Sequence, residues 1–541
     1  MAVLCTKPSC KSALGCFRDL FRVDRRCSRP CVFVAFRVFS GSGRHELNHR
    51  IHGTLTRAAK SELFWILLII LFAFQPSAFG QRSPADLVVV NANVRTMVSR
   101  DSIAEAFAVS GNRISSVGTT KHIRRLIGPS TRVLDAQGKL VVPGFNDAHV
   151  HFMGIGNSFS SIDLRDATTP ADVESRIARY IEFLPRGRWV LGGGLSATAV
   201  PGTAAIDKMS TENPVFIYLS ATDTAFANSR ALELAGLKES PGLVKGSVLR
   251  KIAHVVPANH TRNWQEIGEV ASRYAASLGV TSVQDMHSDD NREIYRELHR
   301  RGKLKTRVYD CISLSDWKRI SASTASRARG EMVRGGCLKS FSDGDRDAAP
   351  KILSNVLAAD KAGLQVMIHA IGHLANEIVL DAFERATKSN PRRDRRFRIE
   401  HAYNPRREDL PRFARARVVA SLQPQLFSGG SGGYYASLLK LKSQIAFGSD
   451  AAIGDLDPIL AIQSAVDAGA EAISVYDAVR AYTLGSAYAE FQEKEKGTIE
   501  TGKLADFVIL SDDIFTIEAQ KIRSARVIMT VVDGQIVYQS E

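Results

Sequence analysis

Six residues near the ends of apolar runs carry the chemistry this sequence offers. His149 and His151 end the stretch VVPGFNDAHVHF at residues 141–152. Two residues apart on a strand, their side chains share one face. Two imidazoles on one face can chelate a metal ion. A lone pair at this spacing is most often two ordinary half-buried histidines, so the weight rests on residues further along the chain. Lys339 lies on the run 337–341, His369 ends 364–369, His401 ends 397–401 and Asp450 ends 445–450. Neutral imidazole and carboxylate are donors that zinc takes, and a catalytic site leaves one position for water. The ion lowers the pKa of that water to about 7, which makes a nucleophile available at neutral pH. Asp450 could both bind metal and take the water's proton. A lysine that had reacted with carbon dioxide would be a carboxylate able to bridge two ions, and Lys339 is the lysine placed for it. Each residue has a plainer reading: His401 as a core histidine, Asp450 as a helix cap, Lys339 as a snorkelling side chain. The joint order of types weighs against those.

Elements that could position these groups alternate strand and helix. Strands are predicted at the His149 segment, 280–285, 306–312, 337–341, 364–369, 397–401, 418–423 and 445–450, with helices at 264–278, 352–362, 374–388 and 455–468. That rhythm predicts an α/β fold, a TIM-like (β/α)8 barrel, whose functional residues gather at the C-terminal strand ends. Residues 153–279 exceed one crossover and predict an insertion with an extra strand at 214–219. Before and after the barrel the pattern is β. Hairpins are predicted around the turn 110–113, over 133–142, over 496–510 and over 527–538 with Asp533-Gly534 as the tight turn. The simplest architecture adds a small β-sandwich formed by both ends of the mature chain. The domain expectation is 81–142 and 491–541 for the sandwich and 143–490 for the barrel.

Composition is that of a large globular chain: 541 residues, 45% hydrophobic and 23% charged. The net charge of +15 is concentrated at the N-terminus, where residues 1–60 hold 12 Lys/Arg against 3 Asp/Glu. The mildly basic remainder predicts no nucleic-acid surface. Cys5, Cys10, Cys16, Cys27 and Cys31 lie in this leader without CxxC spacing. Cys311 and Cys337 do not make a disulfide framework. Residues 1–60 read as an unfolded leader from an over-extended start. Residues 57–80 have a basic flank, a short apolar run (63–74) and a small-x-small end, the layout of a secretory signal, with an uncleaved membrane anchor as the alternative. The expectation is an exported protein, periplasmic or secreted, that starts near Gln81, with a small-molecule substrate and its membrane contact limited to that anchor. A homo-oligomer stays open.

The order HxH, Lys, His, His, Asp on strands one, four, five, six and eight resembles the metal-dependent amidohydrolase superfamily. The details resemble its family 3, the YtcJ-like enzymes: PGFNDAHVHF at 143–152, NSRAL at 228–232, GVTSV at 279–283, LKSFSDG at 338–344, IHAIG at 368–372, RIEH at 398–401, FGSD at 447–450, AYTLGSA at 481–487 and KLAD at 503–506. The resemblance covers residues 85–541. The resemblance implies hydrolysis of a carbon–nitrogen bond, typically a non-peptide amide, through a metal-activated water, with one or two zinc ions or another divalent metal. It implies His149, His151, His369, His401 and Asp450 as ligands, Asp450 as general base and Lys339 as bridging ligand. Departures touch the substrate side. Ala221-Thr-Asp-Thr224 replaces a segment that usually supplies a histidine, His373 stands where an aspartate is usual, and the loop at 345–350 is short. These departures keep two alternatives open: a catalytically weakened member with a binding or regulatory role, or a hydrolase of another bond such as a phosphoester or lactone. The glycine runs at 192–194 and 429–433 read as flexible turns, and the arginine run at 391–396 as a solvated turn.

Overall fold

The computed structural model describes residues 84–541, except 160, 165, 220–223, 239, 258–263, 287–290, 321–329, 428–432 and 541. The leader, the segment 61–80 and the altered residues 221–223 lie outside the described residues.

Eight parallel strands run in sequence order around a barrel: Phe145–Val150, Val280–Asp285, Arg307–Ser313, Val333–Ser342, Gln365–Ile371, Arg398–Tyr403, Val419–Leu422 and Gln444–Phe447. Each pairs in parallel with the next. Most of their residues are buried, as strands covered on both faces must be. The outer layer is helical, as in Ala349–Lys361, His373–Ser389 and Pro458–Val466. Their apolar faces join one large core that includes Val356, Val379, Phe383, Ile459 and Ile462.

Strands eight and one carry no ladder between them in the sheet. The chain after strand eight closes the gap instead. Asp450 N donates to His149 O at 2.8 Å, and His151 N donates to Ala451 O at 2.5 Å. Asp147 Oδ1 accepts from His149 N at 3.0 Å and from Ser449 N at 3.1 Å. Gly448 permits this approach, because a Cβ there would stand 2.5 Å from His149 N. The closure that completes the barrel therefore also sets Asp450 beside the HxH pair.

The insertion is larger than the one extra strand predicted for it. It holds a five-stranded sheet in the order Gly242–Lys245, Thr224–Ala227, Val215–Leu219, Val190–Leu195, Ile162–Asp163. Gly192–Gly194 lie in a strand of this sheet, not in a flexible turn. A Cβ on Gly192 would meet Ile162 Cγ2 at 2.5 Å, so strand proximity demands the glycine.

Strands from both ends of the described chain build a sandwich outside the barrel. One sheet is Arg113–Gly118, Ala106–Ser110, Leu87–Val90, Arg132–Asp135. The other is Gln535–Gln539, Val527–Val532, Phe507–Leu510, Leu140–Pro143, Asn93–Arg95, Ile103–Ala104. Phe107 meets Phe507 edge-on between them, with centroids 4.9 Å apart. Residues 133–142 are not the hairpin the sequence predicts. Arg132–Asp135 pairs in parallel with Leu87–Val90 in one sheet, and Leu140–Pro143 pairs with Phe507–Leu510 in the other. Only Phe507–Leu510 of 496–510 is a strand.

Two further readings change. Cys311 and Cys337 are register partners on strands three and four and form a disulfide inside the barrel. The arginine run is not a solvated turn: Arg393 and Arg395 both pair with the buried Asp360, and Arg396 pairs with Glu493 while lying over the Tyr488 ring.

Candidate metal centre

All six chemistry-bearing residues fall at one mouth of the barrel. His149 is on strand one, with His151 just beyond it. Lys339, His369 and His401 are on strands four, five and six, and Asp450 follows strand eight. His149, His401 and Asp450 each offer one ligand atom, and these atoms lie within 4.8 Å of one another. Asp450 Oδ1 is 3.2 Å from both His149 Nε2 and His151 Nε2. The His369 and His401 rings have centroids 4.5 Å apart. Lys339 is buried, with Nζ 4.2 Å from the centre of the Phe341 ring.

The donor set fits a metal ion. His149 Nε2 and Asp450 Oδ1 are buried polar atoms with no aligned hydrogen-bond partner. Buried groups of this kind are rare unless something else completes them. Two donors about 2 Å from one tetrahedral ion stand about 3.3 Å apart, close to the 3.2 Å seen here.

Charge in the site is tuned by burial and by neighbours. Burial would raise the pKa of Asp450, but the contacts with His149 and His151 hold it well below the carboxylate range. Burial pushes His401 down to about 3, helped by the charges of His149 and His369. His369 is lowered by burial and by Lys339. Burial also pulls Lys339 down to about 8, against the attraction of Glu400 and Asp450. His369 and His401 are thereby held neutral, the form that binds metal, whereas for His149 burial and the Lys339 charge are outweighed by Asp450 and Glu400, which raise it.

Several residues near the site escape the sequence pattern. Glu400 Oε2 lies 2.7 Å from His149 Nδ1, and Gln423 Oε1 lies 2.7 Å from His401 Nδ1. Period-2 alternation would put Glu400 and His401 on opposite faces. His401 has φ +71°, Ala402 has φ +43°, and the register with strand five shifts there. That break lets both neighbours reach the site. At the rim, Phe341 is half exposed beside His369, and Tyr403 stacks on Phe427 at 4.2 Å next to His401.

The pattern of the amidohydrolase family matches residues 132–538. The chain belongs to this family. A member-length relative, the protein LONG AFTER FAR-RED 3 of Arabidopsis thaliana, is 30% identical over 84% of this chain and 92% of its own. The N-substituted formamide deformylase of Arthrobacter pascens is 28% identical over 84% of this chain and 98% of its own. An uncharacterized metal-dependent hydrolase of Pyrococcus furiosus superposes with a TM-score of 0.57 at 25% identity, over 80% of this chain and 100% of that one. The amidohydrolase barrel is thus seen in the fold as well as in the sequence.

Proposed function

We propose that this amidohydrolase cleaves a carbon–nitrogen bond of a non-peptide amide. The observation that carries the proposal is the pair of buried atoms His149 Nε2 and Asp450 Oδ1, 3.2 Å apart and without an aligned hydrogen bond, with His151 and His401 around them. His149, His151 and Asp450 would hold one divalent ion, zinc by donor type. His369 and His401 would hold a second, with Lys339 bridging as a carbamate. When bound, the metal supplies Lewis acidity that brings the pKa of water to about 7. Asp450, kept ionised by its histidine contacts, takes the proton of the attacking water and returns it to the leaving nitrogen. The half-exposed Phe341 and the Tyr403–Phe427 stack suit an apolar substituent on that amide. The test is zinc content together with turnover of N-formyl and N-acyl amines, N-acyl amino acids and cyclic ureides. Stoichiometric zinc with chelator-sensitive turnover is expected. A metal-free protein, or turnover that persists in Asp450→Asn, would overturn it.

Export fits the same protein. The basic, apolar and small-residue succession at 57–80 has the layout of a secretory signal. The buried Cys311–Cys337 disulfide suits an oxidising compartment. Mass spectrometry of the mature protein should find an N-terminus near Gln81 and no free thiol. An N-terminus at Met1 with two free thiols at 311 and 337 would sink this reading.

A further inference from the structure

Behind the proposed metal centre lies a charged group that the chemistry above does not use. Glu400 is fully buried. Arg398, equally buried, reaches it through Nε to Oε1 at 2.8 Å and through a terminal nitrogen to Oε2 at 3.0 Å. Arg398 is itself fixed from three sides. It donates to Ala148 O at 2.5 Å, to Ser421 Oγ at 3.1 Å and to Gln284 Oε1. With a guanidinium set against both of its oxygens, Glu400 is held as a carboxylate. A carboxylate in that state can only accept hydrogen bonds.

The consequence falls on His149. With Glu400 Oε2 at 2.7 Å as an obligate acceptor, Nδ1 must carry a proton. The lone pair of the neutral ring is then on Nε2, the atom 3.2 Å from Asp450 Oδ1. The ring has no freedom to flip, because Glu400 is clamped by a guanidinium held at three further points. His401 has a weaker version of the arrangement: its Nδ1 partner is the neutral amide of Gln423. A buried Arg–Glu pair is poorly explained by stability, since apolar replacements of such pairs are often neutral or better. It is well explained by orientation, because a carboxylate behind a histidine ligand fixes its tautomer and raises its basicity.

We infer that Glu400, clamped by Arg398, is a positioning residue that commits Nε2 of His149 to the metal. This rests on the metal centre proposed above. The experiment measures zinc affinity by chelator competition on the full chain, for wild type, Glu400→Gln, Glu400→Asp and His149→Asn. Glu400→Gln keeps the shape but loses the charge, and should weaken zinc binding by about 10- to 100-fold. Its folded fraction, followed by circular dichroism and melting, should carry that defect. A merely structural role would lower the melting temperature and leave zinc affinity untouched. After reloading with zinc, kcat should fall while KM holds. If Glu400→Gln does not fold, Glu400→Asp, which keeps the charge near Arg398 but withdraws it from His149, carries the same expectation at smaller size. Wild-type affinity in a folded Glu400 variant, with zinc lost in His149→Asn, overturns the positioning role and leaves the metal centre standing. Zinc binding absent from wild type itself overturns the metal centre instead.

Discussion

The two ends of the barrel bury charge in opposite ways. Near the floor, Arg307 binds Asp506 through two hydrogen bonds, at 2.6 and 3.0 Å, and reaches Asp533 at 2.7 Å. Arg334 meets Glu490 at 2.6 Å, and Lys496 meets the same carboxylate at 2.8 Å. Three cations face three carboxylates, and the space left among Arg307, Arg334, Glu490 and Lys496 is about 10 Å³, room for one water at most. At the mouth, Lys339 and four histidines surround Asp450, and His149 Nε2 and Asp450 Oδ1 stand 3.2 Å apart without an aligned hydrogen bond. The floor sets each cation against a carboxylate and leaves only Arg334 Nε without a hydrogen bond; the mouth gathers imidazole and carboxylate ligand atoms within reach of one ion. Burial and polarity are shared by both clusters, so completion is what separates a structural cluster from a site.

Substitution at each end should have opposite consequences. Asp450→Asn should reduce turnover on the order of 10³-fold or more, because it removes the proposed base and a ligand together. Its urea midpoint should fall less than that of the floor variant, because the amide keeps the shape of the side chain and loses only the histidine contacts that hold the carboxylate ionised. Asp506→Ala should do the reverse. Stripping Arg307 of its bidentate partner should cost about 3 kcal/mol or more in urea unfolding. Zinc content and kcat of the folded fraction should stay at wild-type values. If Asp450→Asn instead unfolds the protein, or Asp506→Ala lowers kcat without a stability cost, the contrast between the two ends fails.

Much of the mouth was legible in the sequence, for a local reason. Each candidate ligand sits at the end of an apolar run, so His149, His369, His401 and Asp450 form a joint pattern in the sequence although each alone has a plainer reading. What stayed hidden depends on partners far away in the chain. Glu400 was masked by alternation, which His401 breaks with a positive φ. Gly192 looked like a turn because its reason, the side chain of Ile162, belongs to a neighbouring strand. Arg393 and Arg395 looked solvated because Asp360, which they neutralise, lies on the helix Ala349–Lys361. Residues 133–142 have hairpin chemistry, yet the two strands serve different sheets. Sequence patterns report faces and ends well; they do not report which distant group completes a buried charge.

The smallest test of the contrast concerns Asp457, on the segment that leads away from Asp450. Its side chain caps the helix Pro458–Val466 by accepting from Ile459 N at 2.8 Å. Among the described residues no ion pair is formed with it, so it resembles the mouth more than the floor. Burial, offset in part by the Ile459 hydrogen bond and reinforced by the charge of Asp455, pushes it up to about 6. The unfolded chain has an aspartate pKa of about 3.9. Between these values the folded state holds more protons, so Asp457 makes stability rise as pH falls through 6 towards 4, and its penalty is complete above 6. Asparagine caps helices as well as aspartate does and carries no charge. Asp457→Asn should therefore be more stable than wild type at pH 7 to 8, by about 1 kcal/mol once solvent screening of this half-buried group is allowed for. That gain should vanish by about pH 4. Urea melts of both proteins across this range decide it. A variant that is less stable at every pH would mean that the charge of Asp457 is compensated after all, and that uncompensated burial at this end of the barrel is confined to the metal centre.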